Sequence, residues 1–233
     1  MREVLLARSD WVWRLREAAG AGGDLVGDLE QPPLAPGSVD LAASLLALHA
    51  VNDLPGALIQ IRRALRPDGL FIGCLRGGRS LQELRAALLA AEAETTGGVS
   101  PRVAPFADIR DMGSLLQRAG FALPVIDSEL VTVRYGDMFG LLRDLRGMGW
   151  ANALNDRRKS FSRRDTLLRA AALYAQQSSD PDGRLRATFE MVWLSGWAPH
   201  ESQQKPLRPG SAKARLADAL GVPERGVGDK AGM

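Results

Sequence analysis

Residues 44–75 read SLLALHAVNDLPGALIQIRRALRPDGLFIGCL, and the fold turns on how this stretch is parsed. Its first residues complete a short apolar run, VDLAAS (39–44), of the kind expected of a strand covered on both faces. Asn52 or Asp53 then caps a helix that has Pro55 in its first turn. Leu54, Leu58, Ile61 and Leu65 recur at helical spacing as one apolar stripe. Arg62, Arg63 and Arg66 gather at the far end, where the helix dipole favours cations. RPDG (66–69) reads as a turn, and LFIGCL (70–75) as a second buried strand. Two buried strands joined by a helix make a right-handed parallel crossover. In open sheets of that kind a ligand lies beyond the carboxyl ends of the strands, so Ser44 through His49 form a candidate ligand lip.

The same reading extends outward. REVLLA (2–7) suits a strand, and DWVWRLREAAG (10–20) a helix stopped by Gly20. The stretch 24–40, with three prolines and two glycines, reads as loop. Helices are expected over 80–94, capped by Ser80, over 108–121, ended by Gly120, and over 136–149 and 163–177. LVTVRY (130–135) alternates as a strand does, and RATFEMVWLSGWA (186–198) is a long strand whose Trp193 and Trp197 share one face and fill the core. The chain turns polar after Pro199, and GVGDKAGM (226–233) reads as a disordered end. Alternating strands and helices predict an α/β open sheet with helices on both faces. The organisation expected is a core over 1–135, a helical insertion over 136–185, a last core strand at 186–198 and a tail at 199–233.

Composition narrows the function. The chain has 233 residues, 45% of them apolar and 24% charged, as in ordinary globular proteins. Its formal charge is +3, so the pI of 9.4 reflects a small arginine excess, and no nucleic-acid partner is expected. The basic stretch NDRRKSFSRRD (155–165) either holds a phosphate or acidic partner or is a solvated face. A single cysteine, Cys74, excludes an internal disulfide and reads as a small buried hydrophobe. His49 and His200 stand far apart and outside any HExxH pattern, so no metal is expected. A GxGxxG fingerprint of a dinucleotide oxidoreductase is absent. No secretory signal is visible, and the longest apolar run falls short of the ~20 residues of a membrane span. The expected compartment is the cytoplasm, or the mitochondrial matrix side in a eukaryote.

Residues 27–78 carry a resemblance. An acidic D-x-E (28–30), a proline-bearing turn, the strand S-x-D-L-x-x-S (38–44) and L-R-P-D-G (65–69) together resemble the middle of a class I S-adenosylmethionine-dependent methyltransferase. LHAVNDLPGALIQIRRAL (48–65), LLQRAGFALPVID (115–127), LRDLRGMGWANAL (142–154) and GWAPHESQQKPLRPGSAKARLADAL (196–220) are similar to one branch of that superfamily. The branch contains the complex I assembly factor that hydroxylates an arginine of an iron–sulfur subunit, with its bacterial relatives. The biotin-pathway malonyl-acyl-carrier-protein methyltransferase is a more distant likeness. The match runs from about residue 24 to 221.

The resemblance implies a Rossmann-like sheet in the order 3-2-1-4-5-7-6, opening with a strand and a glycine-rich cofactor loop. This sequence shows no such loop, so REVLLARSD (2–10) reads as the second strand. The first strand and its loop, about 50 residues by the size of one βα unit, would precede Met1, leaving an exposed edge on the 39–44 strand. Arg8 and Asp10 come near the place of the family's ribose-binding acid. By resemblance, Asp28 accepts from the adenine amino group with the Leu29 N–H facing the ring, or Asp28 is a solvated loop acid. Ser44, Leu45 and His49 flank the sulfonium end of the cofactor. His49 is also a weak general-base candidate, or packs on the helix start. Arg76, with Gly77 and Gly78, falls where a substrate loop belongs, and pairs with an anionic substrate or with solvent. Trp150 and Asn152 fall in a helical lid over the substrate, or Trp150 fills the core. The implied function is that of an S-adenosylmethionine-dependent methyltransferase-like protein acting on a protein client, a complex I subunit. The alternative is a non-catalytic assembly protein, or an inactive truncated copy, without cofactor binding.

Overall fold

The computed structural model describes residues 2–7, 12–17, 22–26, 30–104, 108–152, 154–155 and 157–204. The strands and helices in chain order are β1 (Arg2–Ala7), β2 (Val12–Glu17), β3 (Gly22–Val26), β4 (Val39–Leu45), α1 (Leu54–Ala64), β5 (Leu65–Arg76), α2 (Gln82–Thr96), α3 (Ile109–Arg118), β6 (Ala122–Tyr135), α4 (Met138–Gly147), α5 (Arg164–Ser178) and β7 (Leu185–Trp197). One seven-stranded sheet runs β3-β2-β1-β4-β5-β7-β6. β1, β4 and β5 are mutually parallel, and the outer strands pair antiparallel. This is a Rossmann-like α/β open sheet.

The β4–α1–β5 unit forms as its sequence dictates. Asp53 is the cap of α1, its Oδ1 accepting from the Gly56 N–H at 2.9 Å. Leu58, Ile61 and Leu65 are buried and Leu54 packs against their cluster. RPDG, however, is not a turn between elements. β5 runs straight through it, and the β4 partner steps from Val39 opposite Leu65 to Leu41 opposite Leu70. The four intervening residues bulge out of the ladder. Asp68 sits at φ +64° within the bulge, and a Cβ on Gly69 would lie 2.9 Å from the Arg66 carbonyl oxygen.

The N-terminal third departs furthest from expectation. Residues 12–17 form strand β2 instead of a helix, with Leu6 of β1 opposite Trp13. The alternation Trp13-Arg14-Leu15-Arg16 has the period of a strand, and this outweighs the helical spacing of Trp13 and Glu17. Residues 22–26, whose last three were expected in the loop over 24–40, form β3. β1 lies along β4, Glu3–Ala7 against Leu41–Leu45. It therefore holds the place of the first strand in the order, not the second, and the 39–44 edge is paired, not exposed.

Two apolar layers flank the sheet. Alternation along β7 sends Val192 and Leu194 to one face, where α1 and α3 cover them together with Phe71 and Leu75 of β5. Leu185, Ala187 and Phe189 point to the other face, under α2, α4 and α5. β7 pairs with β5 only over 191–197 but with β6 over its full length, so β6 and β7 run on past β5 as a ribbon. The second layer sits on that ribbon. Farther along the same face Trp193 remains 43% exposed and Ile72 40%, so Trp193 is not the core residue its spacing suggested. The helix expected to be capped by Ser80 begins at Gln82, and its cap position is Leu81 at φ +55°. The Ser80 hydroxyl instead donates to the Glu190 carbonyl (3.1 Å) and accepts its N–H (3.0 Å), stitching the loop after β5 to β7.

Candidate functional site

The parallel strands end at the lip anticipated from sequence. Ser44 is buried and Leu45 exposed, and Leu46 follows at φ +51° with its N–H donated to the Cys74 carbonyl at 2.8 Å. A short 3-10 helix, Leu48–Ala50, carries His49 away from the strand end. The Glu30 carboxylate accepts from the Asn52 and Asp53 N–H groups (2.5 and 3.2 Å), and Asn52 Oδ1 accepts from the Asn155 N–H at 2.9 Å. Three loops are thereby gathered at the start of α1. Burial pushes the Cys74 thiol upward in pKa, away from reactivity.

β5 delivers Arg76 to its own carboxyl end, 97% buried. The loop beyond is fixed by Glu190 of β7. Its carbonyl accepts the Gly77 N–H (2.8 Å), and its carboxylate accepts the Arg79 N–H (2.9 Å) and pairs with the Arg79 guanidinium (3.2 Å). Gly77 passes so close to that carboxylate that a Cβ there would require the Glu190 side chain to shift. The Arg76 guanidinium lies 4.8 Å from the centre of the Trp150 ring. Trp150 in turn packs on Phe189 (5.8 Å between centroids) and meets the edge of His49 at 6.4 Å. Asn152 shapes the adjoining loop, donating to the Pro101 carbonyl (3.2 Å) and accepting the Leu154 N–H (3.0 Å). Thus His49, Arg76 and Trp150, from three separate segments, come together, with Asn152 in the loop beside them.

Arg76, Trp150 and Asn152 line a cavity of about 480 Å³ between α2, α4 and the loops after them. Ser44, Leu45 and His49 are not among its lining residues. Asp28 and Leu29, like Arg8 and Asp10, lie outside the described residues.

Sequence reasoning missed the residue that organises this cavity. Glu92 of α2 is 1% exposed and accepts from the Ser100 N–H (2.8 Å) and hydroxyl (2.8 Å), from Arg102 (3.1 Å) and, at close range, from Arg158. Burial pushes its carboxyl up in pKa, but the hydrogen bonds from Ser100 and Arg102 outweigh that and hold it below the ordinary carboxylate range. A signal was present: Glu92 follows Leu84 and Leu88 at i+4 spacing, on the apolar stripe of its helix. The basic stretch 155–165 is likewise more than a solvated face. Arg158 reaches Glu92, Arg157 lines the cavity, and Ser162 accepts from Arg102 at 2.6 Å. The cavity wall so carries Arg76, Arg102, Arg146, Arg157 and Arg158.

For a nucleoside cofactor the fit is one-sided. The end of β4 offers backbone groups and the bend at Leu46 as one wall. On the other side β1 turns back into antiparallel β2 after only four residues, with no room for a glycine loop and helix. Among the described residues no cluster of His, Cys, Asp and Glu could hold a metal, and no helix is long and apolar enough to cross a membrane.

The chain is similar to known proteins at three levels. A methyltransferase domain model matches residues 10–73. The mitochondrial arginine-hydroxylase NDUFAF5 of Danio rerio is 44% identical over 194 residues, covering 83% of this chain and 60% of that protein. The human protein of the same name is 45% identical over 194 residues, 83% of this chain and 56% of its own length. A malonyl-[acyl-carrier protein] O-methyltransferase of Laribacter hongkongensis is 37% identical over 198 residues, 84% of this chain and 64% of that one. The chain thus spans somewhat over half the length of these relatives. In structure it resembles YcgJ from Bacillus, with a TM-score of 0.50 at 12% identity over 76% of this chain and 70% of that one, a likeness of fold.

Proposed function

We propose that this chain, a member of the class I S-adenosylmethionine-dependent methyltransferase superfamily in the branch of the arginine hydroxylases, handles the protein client of an S-adenosylmethionine-dependent enzyme in respiratory complex I assembly. The observation that carries this reading is the convergence of Arg76, Trp150 and Asn152 on one cavity at the carboxyl end of β5, where open α/β sheets take their ligands. Ser44, Leu45 and His49 would hold the methionine end of the cofactor, and Asp28 with Leu29 its adenine. Bound S-adenosylmethionine supplies an activated methyl group. Methyl transfer asks the protein chiefly to position its reactants, which suits a site whose described residues include no acid–base dyad. His49, edge-on to Trp150, is the weak candidate for moving a proton. The work is placed in the cytoplasm, or on the matrix side of a mitochondrion.

A second reading, an assembly protein that binds its client without cofactor, is favoured by one feature: the β1–β2 hairpin stands where a glycine loop would follow the first strand. Incubating the chain with S-adenosylmethionine and purified complex I subunits, then weighing each subunit by mass spectrometry, separates the two. A subunit gaining one methylene supports the enzyme. A subunit that is retained by the chain but never changes in mass supports the second reading.

A further inference from the structure

The outer edge of the sheet is not uniform along β6. Among the described residues β6 has a neighbour on one side only, β7. In an antiparallel pair the N–H and C=O of one residue point to the same side, and successive residues alternate. β7 fixes the phase. The Glu190 N–H is donated to the Ser80 hydroxyl, and the Glu190 carbonyl accepts the Gly77 N–H. The Thr188 N–H is donated to the Glu83 carboxylate (3.1 Å), and the Thr188 carbonyl accepts the Leu81 N–H (2.7 Å). Both residues therefore point away from β6. It is Ala187, Phe189 and Met191 that bond β6, through Val133, Val131 and Glu129. The backbone groups of Ser128, Leu130, Thr132 and Arg134 point outward.

The first half of that edge is guarded. Pro124 has no N–H to offer, the ladder is irregular between Ala122 and Val125, and the Ser128 N–H is taken by the Asp127 carboxylate at 2.8 Å. The second half carries no such device. Its Leu130, Val131 and Val133 are 47%, 39% and 36% exposed. Its only charge, Arg134, is matched within the chain by Asp180 (2.8 Å) and Asp182 (2.6 Å).

Leu130, Thr132 and Arg134 form a set that is its own complement. A two-fold axis normal to the sheet at Thr132 lays a second copy antiparallel, with Leu130 of one copy opposite Arg134 of the other and Thr132 opposite itself. Every outward N–H of the set then meets a C=O. Val131 stands opposite Val133 at the closer, non-hydrogen-bonded spacing, where the branched side chains of the two copies pack. Glu129 stands opposite Tyr135, and no charge meets its like. We infer that the half-edge 130–134 joins two copies of this chain, their sheets running on as one.

Sedimentation equilibrium of the full chain should give twice the 25.1 kDa of one copy. Raising the concentration should slow hydrogen exchange at the Leu130, Thr132 and Arg134 amides and leave those of Val131 and Val133, already bonded to β7, unchanged. Thr132→Pro removes an outward donor that β7 does not use, so the chain should stay folded and become monomeric. Val131→Lys with Val133→Lys sets like charges opposite each other and should weaken the pair roughly tenfold or more, whereas Val131→Lys with Val133→Glu sets opposite charges there and should restore it. A wild-type monomer, including one that holds an extended peptide of another protein along β6, overturns the inference. A dimer of undiminished affinity in both Thr132→Pro and the double lysine variant overturns it too.

Discussion

Glu92 is the residue on which the cavity's shape rests. It is buried in α2 and holds Ser100, Arg102 and Arg158, which belong to the two loops that form the wall. Glu92→Gln would leave two guanidinium groups without their counter-charge, a loss of roughly 3 kcal/mol on the scale of broken buried pairs. Urea unfolding would measure it. The sign of the pH dependence follows from the lowered carboxyl. The native state holds Glu92 ionised more tightly than the unfolded chain does, so its stabilisation is present above the ordinary carboxylate pKa. It is lost as pH falls below that value through the lower native one. Wild type should therefore lose more stability than Glu92→Gln over the same acid range. Parallel acid curves for the two proteins would show that Glu92 carries no such role.

At the scale of elements, two serine and aspartate positions that look alike in sequence act differently. Asp137 caps α4, accepting from the Gly140 N–H at 2.8 Å. Asp137→Ala should cost about 1 kcal/mol by loss of a cap, with α4 fraying first in hydrogen exchange. Ser80 caps nothing, and its hydroxyl serves both backbone groups of Glu190 on β7. Ser80→Ala should speed exchange nowhere in α2 and should instead loosen the Glu190 amide, which becomes a buried donor without a partner. Protection lost across the first turn of α2 would restore the cap reading.

These two cases show what was legible in the sequence. Periodicity and caps located β4, α1, the later helices and β7, because those elements bury a single clear stripe. It could not show that RPDG bulges within β5, since a bulge and a turn share the same Pro-Asp-Gly chemistry and only the pairing with β4 distinguishes them. Nor could it settle residues 12–17, where Trp13 and Glu17 fit a helix while Trp13 and Leu15 fit a strand. Of the candidate site, Arg76, Trp150 and Asn152 were singled out by the resemblance, and all three line the cavity. Glu92 was not, although its i+4 spacing from Leu88 on the apolar stripe marked it as buried, because nothing local names Arg102 and Arg158 as its partners.

Across the whole molecule, the helical layers cover the sheet unequally. Direct pairing puts Leu45, Cys74 and Trp193 in one row across the sheet, and Ile72, Ser195 and Val125 in the next, all on one face. Leu45 is 56% exposed, Ile72 40%, Val125 63% and Trp193 43%. Four large apolar side chains this exposed on one face offer a hydrophobic probe a place to bind. The native chain should therefore bind a hydrophobic fluorescent dye, and Ile72→Thr with Trp193→Thr should remove more than half of the signal while β-propensity is kept. Dye fluorescence unchanged in that variant would place the binding surface elsewhere.

The central claim, that this fold serves S-adenosylmethionine chemistry, is tested most directly by calorimetric titration of the 233-residue chain with S-adenosylmethionine, with the unfolding temperature followed alongside. The account predicts saturable heat in the micromolar range and a rise in unfolding temperature with ligand concentration, as mass action requires of a ligand that binds only the native state. No heat and no stabilisation at millimolar ligand would contradict it, and would leave the chain as a client-binding assembly protein.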